Sequence, residues 1–196
     1  GGNIICRIPQ NKGDLIKSVI LNITLEKGGN NYMESIGSKI IDHIDLVIGG
    51  QTIERMTGEY IYMHTQLNHD YDDTQKTLYY TSGHNGTISK NEFNYRVYIP
   101  FYFHNNPELY FPICALRFQE LRFEVKIRNK NKCTWFHTFF TGIFSMGGVQ
   151  QDDLIKDIKM IGEFICLDKP ELEHFKTSEL TYLINYVQTN IFKVPS

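Results

Sequence analysis

Seven histidines are the first residues to question, because imidazole serves both proton transfer and metal ligation near neutral pH. His43, His64, His69, His84, His104, His137 and His174 are scattered along the chain, and no His-x-His pair occurs. The one-strand ligand spacing of cupin-type metal enzymes is therefore missing. His64 and His69 stand close together, with Asp70, Asp72 and Asp73 following, a set that would suit a weak oxygen-and-nitrogen metal site. The same residues also make a solvated acidic loop. That plainer alternative is adopted, since no outer shell of orienting partners is evident.

Nucleophilic chemistry fares no better. There is no Gly-x-Ser-x-Gly, and no cysteine has a matching histidine context. The carboxylate pairs Glu171/Glu173 and Asp152/Asp153 fall in polar turns, where solvated faces outweigh a glycosidase pair. Gly28-Gly29 and Gly49-Gly50 lack the Lys-Ser/Thr and the helix that a phosphate loop needs. Gly49-Gly50 instead suits a tight hairpin, where positive φ costs glycine little. Asn22 and Asn85 head formal glycosylation sequons, and neither is expected to be used. Cys6, Cys114, Cys133 and Cys166 are widely spaced without Cys-x-x-Cys, so buried free thiols in a reducing compartment are expected. The chain is expected to be no enzyme and to hold no cofactor or metal.

The chain has 196 residues, 41% hydrophobic and 21% charged, which is the composition of a folded globular protein. Its net charge of −2 gives no reason to expect direct nucleic-acid contact. Aromatics reach 13%, with 12 Tyr and 13 Phe, favouring strands and interfaces. No signal peptide or membrane-spanning run is apparent. The chain opens on Gly1-Gly2 without Met and closes at Pro195-Ser196, so it is expected to be part of something longer.

The elements read as strands. Glu120 to Arg128 alternates strictly, with Leu121, Phe123, Val125 and Ile127 on one face and charges on the other. Asn3–Ile8, Ser18–Lys27, Ile40–Ile48, Gln51–Met56, Tyr95–Phe103, Asp157–Leu167 and Thr181–Val194 complete the set of about eight. Gly58–Leu67 is the one convincing helix, with Tyr60, Met63 and Leu67 at helical spacing. Pro112–Arg117 and Pro170–Ser178 suit single helical turns. Two polar or irregular excursions, 69–90 and 129–153, interrupt the pattern. The expected fold is all-β: an eight-stranded antiparallel jelly-roll sandwich with short inserted helices.

Two apolar clusters fit no plain strand. The connection after Tyr95–Phe103 carries Phe101, Phe103, Tyr110, Phe111 and Leu116 around an Asn-Asn-Pro turn. Each of these residues, taken singly, is best read as core; the connection as a whole is read as a subunit contact. The run from Lys132 to Gly148 carries Trp135, Phe136, Phe139, Phe140, Ile143, Phe144 and Met146. Trp, Phe and Met are enriched at interface cores, so a docking patch is expected first, a flap over the domain's own core second, and membrane contact last.

Four stretches carry a resemblance: "GGNIICRIPQNKGDLI", "IGSKIIDHIDLVIGGQTIERMTGEYIYMHTQL", "VYIPFYFHNNPELYFPICALRFQELRFEVKIR" and "FICLDKPELEHFKTSELTYLINYVQ". In this order and spacing they resemble the N-terminal jelly roll of the double jelly-roll major capsid proteins of nucleocytoplasmic large DNA viruses. The resemblance implies that residues 1–196 form one jelly roll, the N-terminal half of a longer chain. It implies homotrimers with a six-sided outline that tile an icosahedral virion shell. Neighbouring capsomers and minor capsid proteins would be the partners, with an inner viral membrane nearby and assembly in the host cytoplasm. A transient viral scaffold of the same fold, or a lectin-like jelly-roll binding module, are the alternatives.

Overall fold

A computed structural model describes residues 2–9, 11–25, 31–32, 35–68, 93–116, 118–129, 134–135, 155–185, 187–188, 190 and 192. Strands dominate. They are β1 (Asn3–Arg7), β2 (Leu15–Leu25), β3 (Asn31–Tyr32), β4 (Ile41–Ile48), β5 (Gln51–Thr57), β6 (Phe93–Ile99), β7 (Phe111–Pro112), β8 (Leu121–Ile127), β9 (Thr134–Trp135) and β10 (Ile155–Ile165). The helices are α1 (Ile36–Lys39), α2 (Gly58–Leu67) and α3 (Lys169–Thr177).

Two four-stranded sheets carry the fold. The first runs β1-β8-β4-β5; the second runs β10-β2-β6, with β7 also on β2. Every pairing in both is antiparallel. Leu21 and Ile23 of β2, Val97 and Ile99 of β6, Ile44 and Leu46 of β4, and Phe123 and Val125 of β8 all join one buried cluster. The two sheets therefore close over a single core. The eight strands of these sheets match the expected number, but not the expected set.

Strand β2 begins three residues earlier than its alternation suggests. Its first residues, Leu15 and Ile16, pair with Ile165 and Phe164 on one side and with Pro112 and Phe111 on the other, so two neighbours hold residues with no periodic signal of their own. Strand β6 stops early, at Ile99, because Pro100 offers no N–H to the ladder. The chain then loops out and returns as β7 to continue along the same edge of β2. Pro112–Arg117, expected as one helical turn, divides into the end of β7 and a 3₁₀ turn at Ile113–Ala115.

Gly49 and Gly50, at φ +56° and +86°, make the tight turn between β4 and β5. Helix α2 starts from Thr57, whose Oγ1 accepts a hydrogen bond from the Tyr60 N–H at 3.2 Å. Its packed face is not the Tyr60-Met63-Leu67 stripe. Gly58 and Ile61 are buried, whereas Met63 and Leu67 are exposed. A Cβ at Gly58 would lie 2.2 Å from the Ile41 carbonyl oxygen, so the close approach of the backbone chooses which side of the helix faces in. Asp168 caps α3, accepting from the Glu171 N–H at 3.0 Å.

In the range of the expected last strand, Thr181–Val194, the described residues pair with no strand, and 186, 189, 191, 193 and 194 lie outside the described residues. The thiols also differ from expectation. Cys6 and Cys114 are half-buried and free, and Cys166 is exposed just past β10.

Candidate assembly surface

The residues expected at subunit contacts fall into four groups. Phe101, Phe103 and Phe111 are part of the domain's own core. Phe103 stacks on Phe101 at 5.7 Å between ring centroids and lies 6.1 Å from Phe111, and Phe101 reaches Phe123 of the opposite sheet at 5.4 Å. These three side chains offer a partner no surface, which corrects the expectation that they sit at an interface. The physical reason is the loop between β6 and β7: leaving and rejoining one edge of β2, it drops its aromatics into the open end of the sandwich. Tyr110 keeps partial exposure. Trp135 lies in β9, paired with Asn31 of β3. Phe136, Phe139, Phe140 and Phe144 lie outside the described residues.

The apolar surface that the structure does present lies elsewhere. Phe118, at the end of the connection before β8, is 97% exposed. Leu183 and Phe192, beyond α3, are 93% and 84% exposed, and α3 itself buries no residue. Ile5 on β1 and Ile161 on β10 point outward from strands that, among the described residues, each pair on one side only. Part of this was legible: the alternation that turns Ile4 and Cys6 inward turns Ile5 outward. Phe118 and Phe192 carry no such signal.

Around these positions the outer face of the first sheet is wet and ion-paired. Arg7 meets Glu120 at 2.5 Å and Arg122 meets Glu124 at 2.7 Å. Exposed pairs of this kind contribute little stability. Asp45 differs. It is buried, and Arg55, opposite it on β5, donates two hydrogen bonds to its carboxylate at 2.7 and 2.6 Å.

A cleft of about 460 Å³ opens beside the connection, lined among others by Glu54, Tyr60, His64, Tyr102, His104 and Asn185. Glu54 of β5 is 2% exposed. Its Oε2 accepts from the Tyr102 N–H at 3.1 Å, and its Oε1 has no protein partner. Burial raises the Glu54 carboxyl to about 7, against the opposing pull of that one N–H. Burial, and then the nearby Glu54 carboxylate, push the Tyr102 phenol up. Burial, and then His64, lower His104. Of the weak metal set considered above, His64 sits on α2, and His69, Asp70, Asp72 and Asp73 lie outside the described residues. Among the described residues no three His, Cys, Asp or Glu side chains converge to hold a metal.

The fold defines the class: an all-β jelly roll. It superimposes on PBCV-1 VP54, the crystal structure fitted into a reconstruction of the virophage Sputnik, with a TM-score of 0.76 and 22% identity. The match covers 94% of this chain and 43% of that one. The quasi-atomic model of the PBCV-1 virus capsid matches equally well, with a TM-score of 0.76. The family follows from sequence. The family described as "Major capsid protein N-terminus" matches residues 1–187, and the chain belongs to it. The major capsid protein of Phaeocystis pouchetii virus is 25% identical over 96% of this chain and 43% of its own length. Capsid protein 1 of Acanthamoeba polyphaga mimivirus is 25% identical over 90% of this chain and 33% of its own. The chain thus spans less than half the length of the curated relatives it matches.

Proposed function

We propose that this chain is the first jelly roll of a double jelly-roll major capsid protein, and that its work is geometric. The observation that carries the proposal is the family match across residues 1–187. A rigid sandwich presents exposed apolar positions at strand edges and at chain ends, and symmetry repeats modest contacts into a closed shell. In this proposal the subunits form homotrimers with a six-sided outline that tile an icosahedral virion. Neighbouring capsomers and minor capsid proteins are the partners. Nucleic acid is not contacted directly, an inner viral membrane lies near, and assembly takes place in the host cytoplasm.

Light scattering on the complete product of the gene tests this. A stable trimer with a subunit about twice the length of this chain, persisting on dilution as large interfaces do, is the expected result. A monomer no longer than this chain overturns it. Trp135→Ala combined with Phe140→Ala should weaken assembly more than it lowers the melting temperature. Equal loss of both would remove the 132–148 run from the interface.

A further inference from the structure

We propose that the cleft between helix α2 and the connection is a binding site for a neutral saccharide, held by side-chain amides. The inference goes beyond shell building and does not rest on it.

The wall of the cleft is rich in amides. Asn68 closes α2, Asn105 and Asn106 turn the connection, and Asn185 lies beyond α3; all four are exposed and line the cleft. Three of them are tied at one end. Asn68 Nδ2 donates to the His64 carbonyl oxygen at 2.8 Å, and its Oδ1 is left as an acceptor. Asn106 Oδ1 accepts from the Glu108 N–H at 3.3 Å, and its Nδ2 is left as a donor. The Asn105 amide lies 3.2 Å from His104 Nε2; whichever end meets the ring, the other stays unengaged. Asn185 is bonded at neither end among the described residues. An amide tied at one end is already oriented, so little rotamer freedom is lost when its other end meets a ligand. Acceptors and donors on one wall suit hydroxyl groups, each of which donates one hydrogen bond and accepts two.

Charge points the same way. Among the described residues no Lys or Arg lines the cleft. Its one carboxyl side chain, Glu54, is enclosed, with Oε1 out of reach of solvent. A ligand therefore meets no ammonium, guanidinium or open carboxylate. Tyr60 and Tyr102, both half-buried, line the cleft as well. An aromatic ring with a hydroxyl at its edge suits a sugar, whose C–H faces are apolar and whose rim is polar.

Other ligand classes fit less well. A nucleotide brings phosphate, which here finds no cation among the described residues. A peptide added as a strand needs an open row of backbone groups, and the strand residues of the cleft, Glu54 and Met56, are buried. A metal ion needs several converging ligands, and none of the described residues supply them.

Saturation-transfer NMR and calorimetry on the intact protein test the site. The probes are the methyl glycosides of glucose, galactose, mannose and N-acetylglucosamine, set beside cyclohexanol and N-acetylalanine methylamide. At least one glycoside is expected to bind with a Kd of about 1 mM or tighter, with affinity unchanged between about 0.05 and 0.5 M salt because no charge takes part. Asn106→Asp keeps the oxygen that accepts from Glu108 and turns the free donor into an acceptor, so it should lose about tenfold in affinity. Asn185→Ala should lose about threefold to tenfold. It has no protein bond to give up, which keeps the test intact even if Asn106→Asp does not fold. No glycoside bound, cyclohexanol or the peptide amide bound as tightly as the best glycoside, affinity that falls with salt, or wild-type affinity in Asn185→Ala would each overturn the proposal.

Discussion

The connection 100–118 and the arm 168–192 look alike as sequence. Each begins near a proline, each includes a short helical turn, and each carries aromatic and aliphatic residues that no strand claims. In the fold they take opposite parts. The connection buries Phe101, Phe103, Phe111 and Ile113, while the arm buries no residue in α3 and leaves Leu183 and Phe192 exposed. Apolar content therefore does not by itself mark a docking surface. What decides is whether the segment is anchored at both ends to the same sheet edge, as β6 and β7 anchor the connection to β2. The described residues of the arm beyond α3 pair with no strand, and Leu183 and Phe192 stay outside the core.

The sharpest way to break this contrast is to empty the connection. Phe103→Ala should cost about 3–5 kcal/mol in denaturant unfolding. A loss under about 1 kcal/mol would mean that the loop is not part of the core. Glu54→Gln comes next, with a sign that depends on pH. The folded-state value of about 7 lies above the ordinary 4.5, so the folded state binds the extra proton between those values. Stability is full below about pH 4.5 and declines as pH rises through about 7. The ionised form therefore costs on the order of 3 kcal/mol. Glu54→Gln should then stabilise by about 1–3 kcal/mol near pH 8 and by almost nothing near pH 4. Equal melting-temperature shifts at both values would show that Glu54 does not titrate as its burial implies.

The arm should behave in reverse. Leu183→Ser with Phe192→Ser should change unfolding free energy by less than about 0.5 kcal/mol, as exposed substitutions do, yet reduce assembly measured by sedimentation. A large stability loss without an assembly defect would make the arm part of the core after all. Phe118→Ser tests the exception inside the connection. Its effect on stability should be as small as the arm's, about 0.5 kcal/mol or less.

Much of the fold was legible from residue patterns. Alternation placed β8 and the inward face of β2 from Val19 to Leu25, because a strand with one wet face writes its period directly into the chain, and Gly49-Gly50 marked the hairpin of β4 and β5. Helical spacing of Tyr60, Met63 and Leu67 placed α2, and Pro170 at a helix start placed α3; the caps at Thr57 and Asp168 were seen only in the structure. Family membership was legible too, through four stretches in register. The candidate site was far less so. Glu54 looked like one more polar residue on a hairpin, and its burial exists only because the connection folds over it and Tyr102 supplies an N–H from 48 residues away.

The chain's own pattern thus determined which segments are strands, which faces turn inward, and that no catalytic constellation is spelled out. Tertiary structure alone decided the rest. It chose which of two similar apolar segments becomes core, which side of α2 packs, and where a carboxyl group is stripped of water. The reason is the same in each case. Local preference is set by a residue and its near neighbours, whereas burial and pairing need a partner whose place in the sequence no period encodes.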